Sequence, residues 1–353
     1  MSGEKNEHKV IVFGSLNMDL SVECSEYPRR GQTVLGRGFV TTPGGKGGNQ
    51  AVACARMGAD TFMVGKVGAD TFGQQLLVSL TNHGVSVGNV SLTNWAATGT
   101  ALVVRSGDDN RIVVDPGANQ RIRYEEVRSA IHGLGQDRNI FLTQLECDFD
   151  VTMDALRCAN RNYLYTILNA APAHRLPHDV YQTLDLLCVN ESECELLSGI
   201  RPVDDASCAM ALGRFADLGV RHTVITLGSR GSVTTERGQL VRVSAHEIQA
   251  VDTTGAGDAY LGELAAHLAF GGSIVDGMRY GRRGALLHQG GGPGRHAHLG
   301  SGGEVRCGSQ GSLVTAPACQ EGPACQAVVA RPRHIAYFDW LRALGAVAIV
   351  LLH

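Results

Sequence analysis

Short apolar runs, each ending on polar residues and separated by helix-compatible stretches, fill the middle of this chain. Asn139–Leu145 ends at Glu146, and Thr166–Leu168 ends at Asn169. Leu184–Val189 ends at Asn190 and Glu191, and Val220–Leu227 carries Thr226 just before the turn Gly228-Ser229-Arg230-Gly231. Helical patterns at Val151–Asn160 and Ala206–Leu218 lie between them. Parallel strands need crossovers of this kind. The pattern therefore predicts an α/β fold, a doubly wound and mainly parallel sheet with helices on both faces. Lys9–Gly14 reads as a further buried strand, opening onto Ser15-Leu16-Asn17-Met18-Asp19. In such sheets ligands gather at the carboxyl ends of strands, so the recurring polar residues there predict a ligand crevice. Asn17 and Asp19 suit the hydroxyls of a polyol, and an Asx-turn is the competing account of the pair.

Bulk properties narrow the partners. A length of 353 residues suffices for one large domain or two smaller ones with substantial cores. A formal charge of −3 supplies no basic field for nucleic acid, which is not expected as a partner. The ten cysteines include no C-x-x-C pair, which favours reduced thiols over disulfides or zinc. The opening MSGEKNEHKV has no apolar signal core, so a cytoplasmic location is expected.

Two glycine-rich stretches carry the chemistry. Pro43-Gly44-Gly45-Lys46-Gly47-Gly48-Asn49-Gln50-Ala51 precedes helix-compatible Val52–Met57 and lacks the Lys-Ser/Thr spacing of a Walker A loop. Its glycines permit close backbone approach by a ligand, with Lys46 and Asn49 beside it. The second is Ala250-Val251-Asp252-Thr253-Thr254-Gly255-Ala256-Gly257-Asp258, between a β-like run (Leu240–Val251) and a helical run (Ala259–Phe270). The N–H groups of Gly255, Ala256 and Gly257 stand where a helix begins, which suits an anion. Asp258 beside that anion suits a base that takes a proton from an attacking hydroxyl. By itself the stretch also suits a glycine turn with an aspartate cap.

Taken in order, these segments resemble the ribokinase family of sugar kinases. The resemblance rests on Gly44–Ala51 with Gly58 and Gly68, Thr143-Gln144-Leu145-Glu146, Asn169–Ala173, Val189–Glu193, Ile225–Gly231 and Ala250–Asp258, and covers roughly residues 9 to 280. It implies a ribokinase-like fold with a small β-sheet lid, supplied by Leu20–Val40 and Ala96–Val114 around a hairpin turn at Ser106–Asn110. It implies ATP-dependent phosphorylation of D-ribose at its 5-hydroxyl and a homodimer formed through the lid. Asn17, Met18, Asp19, Gly45, Lys46, Gly47, Asn49 and Glu146 would then line the sugar pocket, with Asp258 as the base and Gly255–Gly257 as the anion hole. Asn190, Thr226, Leu227, Gly228, Ser229, Arg230, Gly231 and Gly257 would border the nucleotide, with Glu191 serving its Mg²⁺ indirectly. Asp252 and Thr254 would contribute to a K⁺ site. One departure is Glu263, where the family has a small residue; a solvent-facing position is expected for it.

After Tyr280 the pattern changes. The expected kinase domain is 1–285, followed by a low-complexity tail (286–330) and an apolar helix (331–353), and Gly281–Ala330 reads as loop. The family continues instead with a Thr-Arg-x-Gly-Ala-Gln segment. Shifting the back-translation of Leu287–Pro293 by one nucleotide permits it, so we hypothesise a frameshift near codon 281. A gene encoding no such peptide in any offset frame would remove the idea. The run from Ile335 to His353 resembles the opening helix of a family of membrane acyltransferases but implies no such activity; a plain apolar C-terminal helix is the equal alternative, and functional membrane contact is not expected. The alternatives to an active kinase are a sugar- and nucleotide-binding protein of poor turnover, a related kinase of different substrate, and a tail-tethered chain.

Overall fold

The protein is described by a computed structural model covering residues 8–107, 109–135, 138–245 and 255–289, with side chains of the last helix to Arg282. Strand β1 (Val10–Phe13) leads through Gly14–Leu16 into β2 (Asn17–Cys24), β3 (Gly36–Gly44) and helix α1 (Lys46–Arg56). Then come β4 (Thr61–Gly68), α2 (Thr71–Asn82), β5 (Ser86–Thr93), β6 (Gly99–Ser106), β7 (Asp109–Asp115) and α3 (Tyr124–Leu134). The alternation expected from sequence follows as β8 (Ile140–Thr143), α4 (Phe149–Arg161), β9 (Tyr165–Asn169), α5 (His178–Tyr181) and β10 (Leu186–Val189). It continues through α6 (Glu191–Ser198), α7 (Asp205–Asp217), β11 (His222–Thr226), β12 (Ser232–Glu236), β13 (Gln239–Val243), α8 (Ala256–Ala269) and α9 (Ile274–Gln289).

The large sheet runs in the order β13-β12-β11-β10-β9-β8-β1-β4-β5. Neighbours from β11 to β5 are parallel, and β12 and β13 are added antiparallel at one edge. Alternate side chains divide between two cores. Ile11, Phe13, Phe141, Leu168 and Leu187 pack against α3, α4, α6 and α7, whereas Val10, Val12, Met63, Leu142, Ile167 and Val224 pack against α1 and α8. From β1 the strand order proceeds to β4 and β5 on one side, and from β8 to β9 and β10 on the other. The β1/β8 pair is therefore the topological switch point, with Ser15 and Glu146 beyond its carboxyl end.

A second sheet of order β3-β2-β6-β7 pairs β2 with β6 in parallel and both outer strands antiparallel. It contains both expected lid segments and the expected β6–β7 hairpin. The sheet is thin: Phe39, Val40, Leu102, Ile112, Val113 and Val114 remain exposed.

Several boundaries differ from expectation for packing reasons. Helix α1 begins at Lys46, not Val52, because the glycine run is its first turn. A Cβ on Gly47 would lie 2.6 Å from the Gly14 carbonyl carbon, so only glycine lets this turn rest on the end of β1. Strand β5 reads Ser-Val-Gly-Asn-Val-Ser-Leu-Thr, too polar for its strand character to show without its neighbour β4. Strand β13 ends at Val243, and 246–254 lie outside the described residues. Helix α9 continues through Gly281, where a loop was expected, to Gln289. Its glycines face α8 closely: a Cβ on Gly281 would meet the Tyr260 carbonyl oxygen at 2.5 Å, and one on Gly277 the Leu264 side chain at 2.3 Å. Tertiary contact thus holds a glycine-rich segment helical against its weak propensity. The tail after 289 and the apolar helix expected at 331–353 lie outside the described residues. Among the described residues no helix is long and apolar enough to cross a membrane.

The α1/α8 crossing is tight enough to test. A Cβ on Gly262 would lie 2.5 Å from the Ala53 Cβ and 2.7 Å from the Gln50 carbonyl oxygen. Gly262→Ala is expected to destabilise the fold by about 1–3 kcal/mol in urea unfolding, the scale of an overpacked contact. Gly213→Ala, on α7 with nothing within 4 Å of its Cβ, is the control. It is expected to stabilise by about 0.5–1 kcal/mol.

Candidate active site

Helices α2, α4, α6 and α7 each have an Asp or Asn side chain accepting from their first-turn N–H groups. Helices α1 and α8 have no such cap among the described residues, and they begin next to each other. Each is preceded by a left-handed glycine, Gly45 (φ 86°) and Gly255 (φ 77°), which turns the chain sharply into the helix. The first-turn N–H groups of α1 are taken up by Glu146 and Ser15, whereas α8 begins beside them without a side-chain cap, a favourable setting for an anion.

Asp258, in the first turn of α8, sits at that place and is only 6% exposed. Its two carboxylate oxygens are held by successive residues of α1. Asn49 Nδ2 donates to Oδ2 at 3.1 Å, and Gln50 Nε2 donates to Oδ1 at 3.0 Å. Two turns of sequence that lie more than two hundred residues apart thus share one carboxylate. Tyr260 ties the same helix to β12 through a 2.8 Å contact with Ser232 Oγ.

Facing this helix pair are the residues that follow β1 and β8. Ser15 Oγ donates to Glu146 Oε2 at 2.5 Å, and the Lys46 backbone N–H donates to the same oxygen at 3.2 Å. Asn17, 4% exposed, accepts from Asn119 Nδ2 at 2.8 Å, and Asn119 also binds both backbone groups of Leu16. That clamp fixes the chain between the two sheets. Asp19 lies on β2 against Gly44, where a Cβ would come within 2.5 Å of its carboxylate. Burial, and then the negative charges of Glu146 and Asp258, push its carboxyl up to about 6. Glu146 and Asp258 therefore lie near enough for their charges to act on Asp19. Met18 behaves differently: it is 1% exposed and packs into the core.

The remaining candidates lie along the carboxyl ends of β10 and β11. Thr226 Oγ1 donates to the Val189 carbonyl at 3.3 Å, and Gly228–Arg230 forms a single tight turn closed by Gly231 at φ 86°. Gly228 and Ser229 are exposed, whereas Leu227 is buried in the core. Asn190 caps α6, with its Oδ1 accepting from Glu193 N at 2.9 Å. Glu191 is ion-paired with Arg230, whose guanidinium also donates to the Pro202 and Val203 carbonyls. The buried acid of this segment is Glu193, which receives both Asn190 N and Asn190 Nδ2 at 2.8 Å and feels the charge of Lys46. Asp252 and Thr254 lie outside the described residues. Among the described residues no group of His, Cys, Asp and Glu is arranged to hold a metal ion.

The sequence profile of the pfkB family carbohydrate kinases matches residues 7–294. The chain belongs to this family. It is 30% identical to the ribokinase of Haemophilus influenzae over 79% of its own length and 91% of that protein, and 35% identical to the Mus musculus ribokinase over 76% and 84%. The Arabidopsis thaliana ribokinase structure, complexed with ribose and ATP, superposes with a TM-score of 0.73 at 28% identity, covering 80% of this chain and 92% of that one. The ribokinase-like fold and the sugar-kinase class expected from sequence are thereby established.

In this pfkB kinase three residues matter that the sequence candidates did not include: Gln50, Asn119 and Glu193. Gln50 and Glu193 stood inside quoted motifs, one beside Asn49 and the other three residues after Asn190, where a capping box could have been read. Asn119 carried no local signal. Glu263 is half-buried and its charge acts on the Cys54 thiol of α1, so it is not simply solvent-facing. Two cavities of about 450 and 440 Å³ lie away from Asp258, one beside Ala96 and Pro116 and one at the amino ends of β9 and β11. Neither is lined by Asp258.

The raised carboxyl of Asp19 has a stability consequence. Its folded value of about 6 exceeds 3.8, so the folded state prefers the protonated form, and the associated stability is lost as pH rises from 3.8 through about 6. Asp19→Asn keeps the neutral shape. In ligand-free protein the variant is expected to melt above wild type at pH values beyond 6. That advantage is expected to vanish as the pH falls toward 3.8.

Proposed function

We propose that this kinase transfers the γ-phosphoryl group of ATP to the 5-hydroxyl of D-ribose, with Asp258 as the base. The observation that carries the reading is the placement of Asp258: a buried carboxylate, gripped by Asn49 and Gln50, at the start of an uncapped helix. The similarity to ribokinases, one of them bound to ribose and ATP, supports the choice of sugar and phosphoryl donor.

In this reading Asn17, Asp19, Lys46, Asn49 and Glu146 hold the sugar hydroxyls, with Gly45 and Gly47 letting the backbone approach. Asp258 accepts the proton as the hydroxyl oxygen attacks phosphorus. The N–H groups of Gly255, Ala256 and Gly257 hold the phosphoryl oxygens, so that charge developing in the transition state meets fixed dipoles. ATP enters with its Mg²⁺ and lies along Thr226, Gly228, Ser229 and Gly231 toward Asn190. The Arg230–Glu191 pair fastens that turn to the start of α6. K⁺ is the expected activator. The free, buried thiols among the described residues suit a reducing cytoplasmic setting.

A coupled assay with ribose, ATP, Mg²⁺ and a K⁺ titration tests the reading. Asp258→Asn is expected to lower kcat by about 10²–10⁴-fold, the usual worth of a general base. Equal turnover in that variant removes Asp258 from the role. Phosphorylation of another sugar in preference to ribose keeps the chemistry and changes the substrate.

The exposed apolar residues of the small sheet support a homodimer in which one sheet face covers the sugar and the other pairs with a second copy. Val113→Lys, at a position 66% exposed, is expected to shift sedimentation toward the monomer. A monomeric wild type at micromolar concentration rules this pairing out.

A further inference from the structure

Behind Asp258 lies a run of buried amides that the reaction as described does not use. Gln50 is fully buried on α1, and both hydrogens of its amide have acceptors: Asp258 Oδ1 at 3.0 Å and Asn169 Oδ1 at 3.3 Å. Its own carbonyl oxygen accepts from Gln144 Nε2 at 2.6 Å. Gln144, 1% exposed, follows β8, and Asn169 closes β9. Two strand ends thus reach Asp258 through one side chain of α1.

The direction of this chain is physically determined. An amide can present nitrogen or oxygen to a neighbour, and here the neighbour is a carboxylate, which only accepts. A reversed Gln50 would aim its oxygen at Asp258 Oδ1 and Asn169 Oδ1 together. A reversed Gln144 would set two carbonyl oxygens against each other. One orientation satisfies Gln50, at the expense of Gln144 Oε1, which is buried without a partner. That oxygen lies 2.0 Å from where a Cβ on Gly14 would stand, so the glycine at the end of β1 is what leaves room for it. Tolerating an unpaired buried acceptor is unfavourable, and the arrangement secures Gln50 in return.

We propose that Gln50, locked by Gln144, is the positioning residue that fixes the carboxylate plane of Asp258 so that Oδ2 faces the sugar hydroxyl. This rests on Asp258 being the base. Asn49 holds Oδ2 from the substrate side, and Gln50 holds Oδ1 from the protein side. The carboxylate cannot rotate without breaking a contact to the sheet. Gln50 is fully buried behind Asp258, which makes its role one of positioning.

The test uses two near-isosteric variants of the full chain, Gln50→Leu and Gln50→Glu, beside Asp258→Asn. Gln50→Leu is expected to lower kcat by about a hundredfold, the scale of a misplaced reacting group, with the KM for sugar held within about threefold. Gln50→Glu sets a second carboxylate against Asp258. The acid limb of its kcat profile is expected to move to higher pH by about one unit or more, because two adjacent carboxylates then compete for one proton. The other charges facing this space, Asp19 on β2, Glu146 after β8 and Lys46 on α1, are the same in wild type and variant.

A filler of the core would lose folded protein without changing the pH profile per folded molecule. Circular dichroism and active-site titration therefore accompany the kinetics. If Asp258→Asn is inactive while both Gln50 variants keep wild-type kcat and pH limb, the positioning role is overturned and the base stands. If Asp258→Asn is fully active, both ideas fall together. If Gln50→Leu does not fold, an unmoved pH limb in Gln50→Glu still overturns the proposal.

Discussion

The close crossing of α1 and α8 is the contact on which the site depends. It is made possible at Gly262, where a side chain would collide with Gln50 and Ala53, and it is sealed by the Cys54 thiol donating to the Gly262 carbonyl at 3.1 Å. Because the helices meet within their first turns, their N-termini point the same way and their early residues interleave. Asn49 and Gln50 reach Asp258 only at this separation. Moving either helix outward by one methyl group would open the carboxylate to water.

The glycine starts of these two helices contrast with the side-chain-capped starts of α2, α4, α6 and α7. Asp70, Asp148, Asn190 and Asp204 each supply a side-chain acceptor to the first turn of their helix. At α1 and α8 glycines stand in the capping position instead; Ser15 and Glu146 take up the first N–H groups of α1, and α8 starts without a side-chain acceptor. Acidic residues gather close by: the charges of Glu146 and Asp258 act on Asp19, which is already pushed toward its protonated form. A space that mixes carboxylates with helix N-termini suits a substrate that brings hydroxyls to one side and phosphate to the other.

Much of this was legible in the chain. The β/α alternation, the polar residues at strand ends and the two glycine stretches determined the class of sheet and singled out Asp258, which the structure places buried against α1. Those signals are local: strand and helix periodicity, turn chemistry and helix-start chemistry all act within a few residues. Asn17, Asp19, Glu146 and Asp258 were readable for that reason, each being a polar residue at the mouth of an element. Glu191 shows what such reading omits: it adjoins a strand end, and its ion pair with Arg230, thirty-nine residues later, leaves no local mark.

What only the tertiary structure decided are the partnerships. Whether Gly281 continues a helix depended on the α8 surface it meets, and whether Gln50 matters depended on Gln144 and Asn169 arriving from two separate strands. Asn119 became a clamp for the β1–β2 link only because β2 and the turn before α3 fold back together. The sequence by itself determined which residues could do chemistry, since that follows from side-chain type and local backbone. Their pairing, burial and charge state came from the close approach of distant segments, because hydrogen bonds and charge interactions depend on distance in space and carry no mark along the chain.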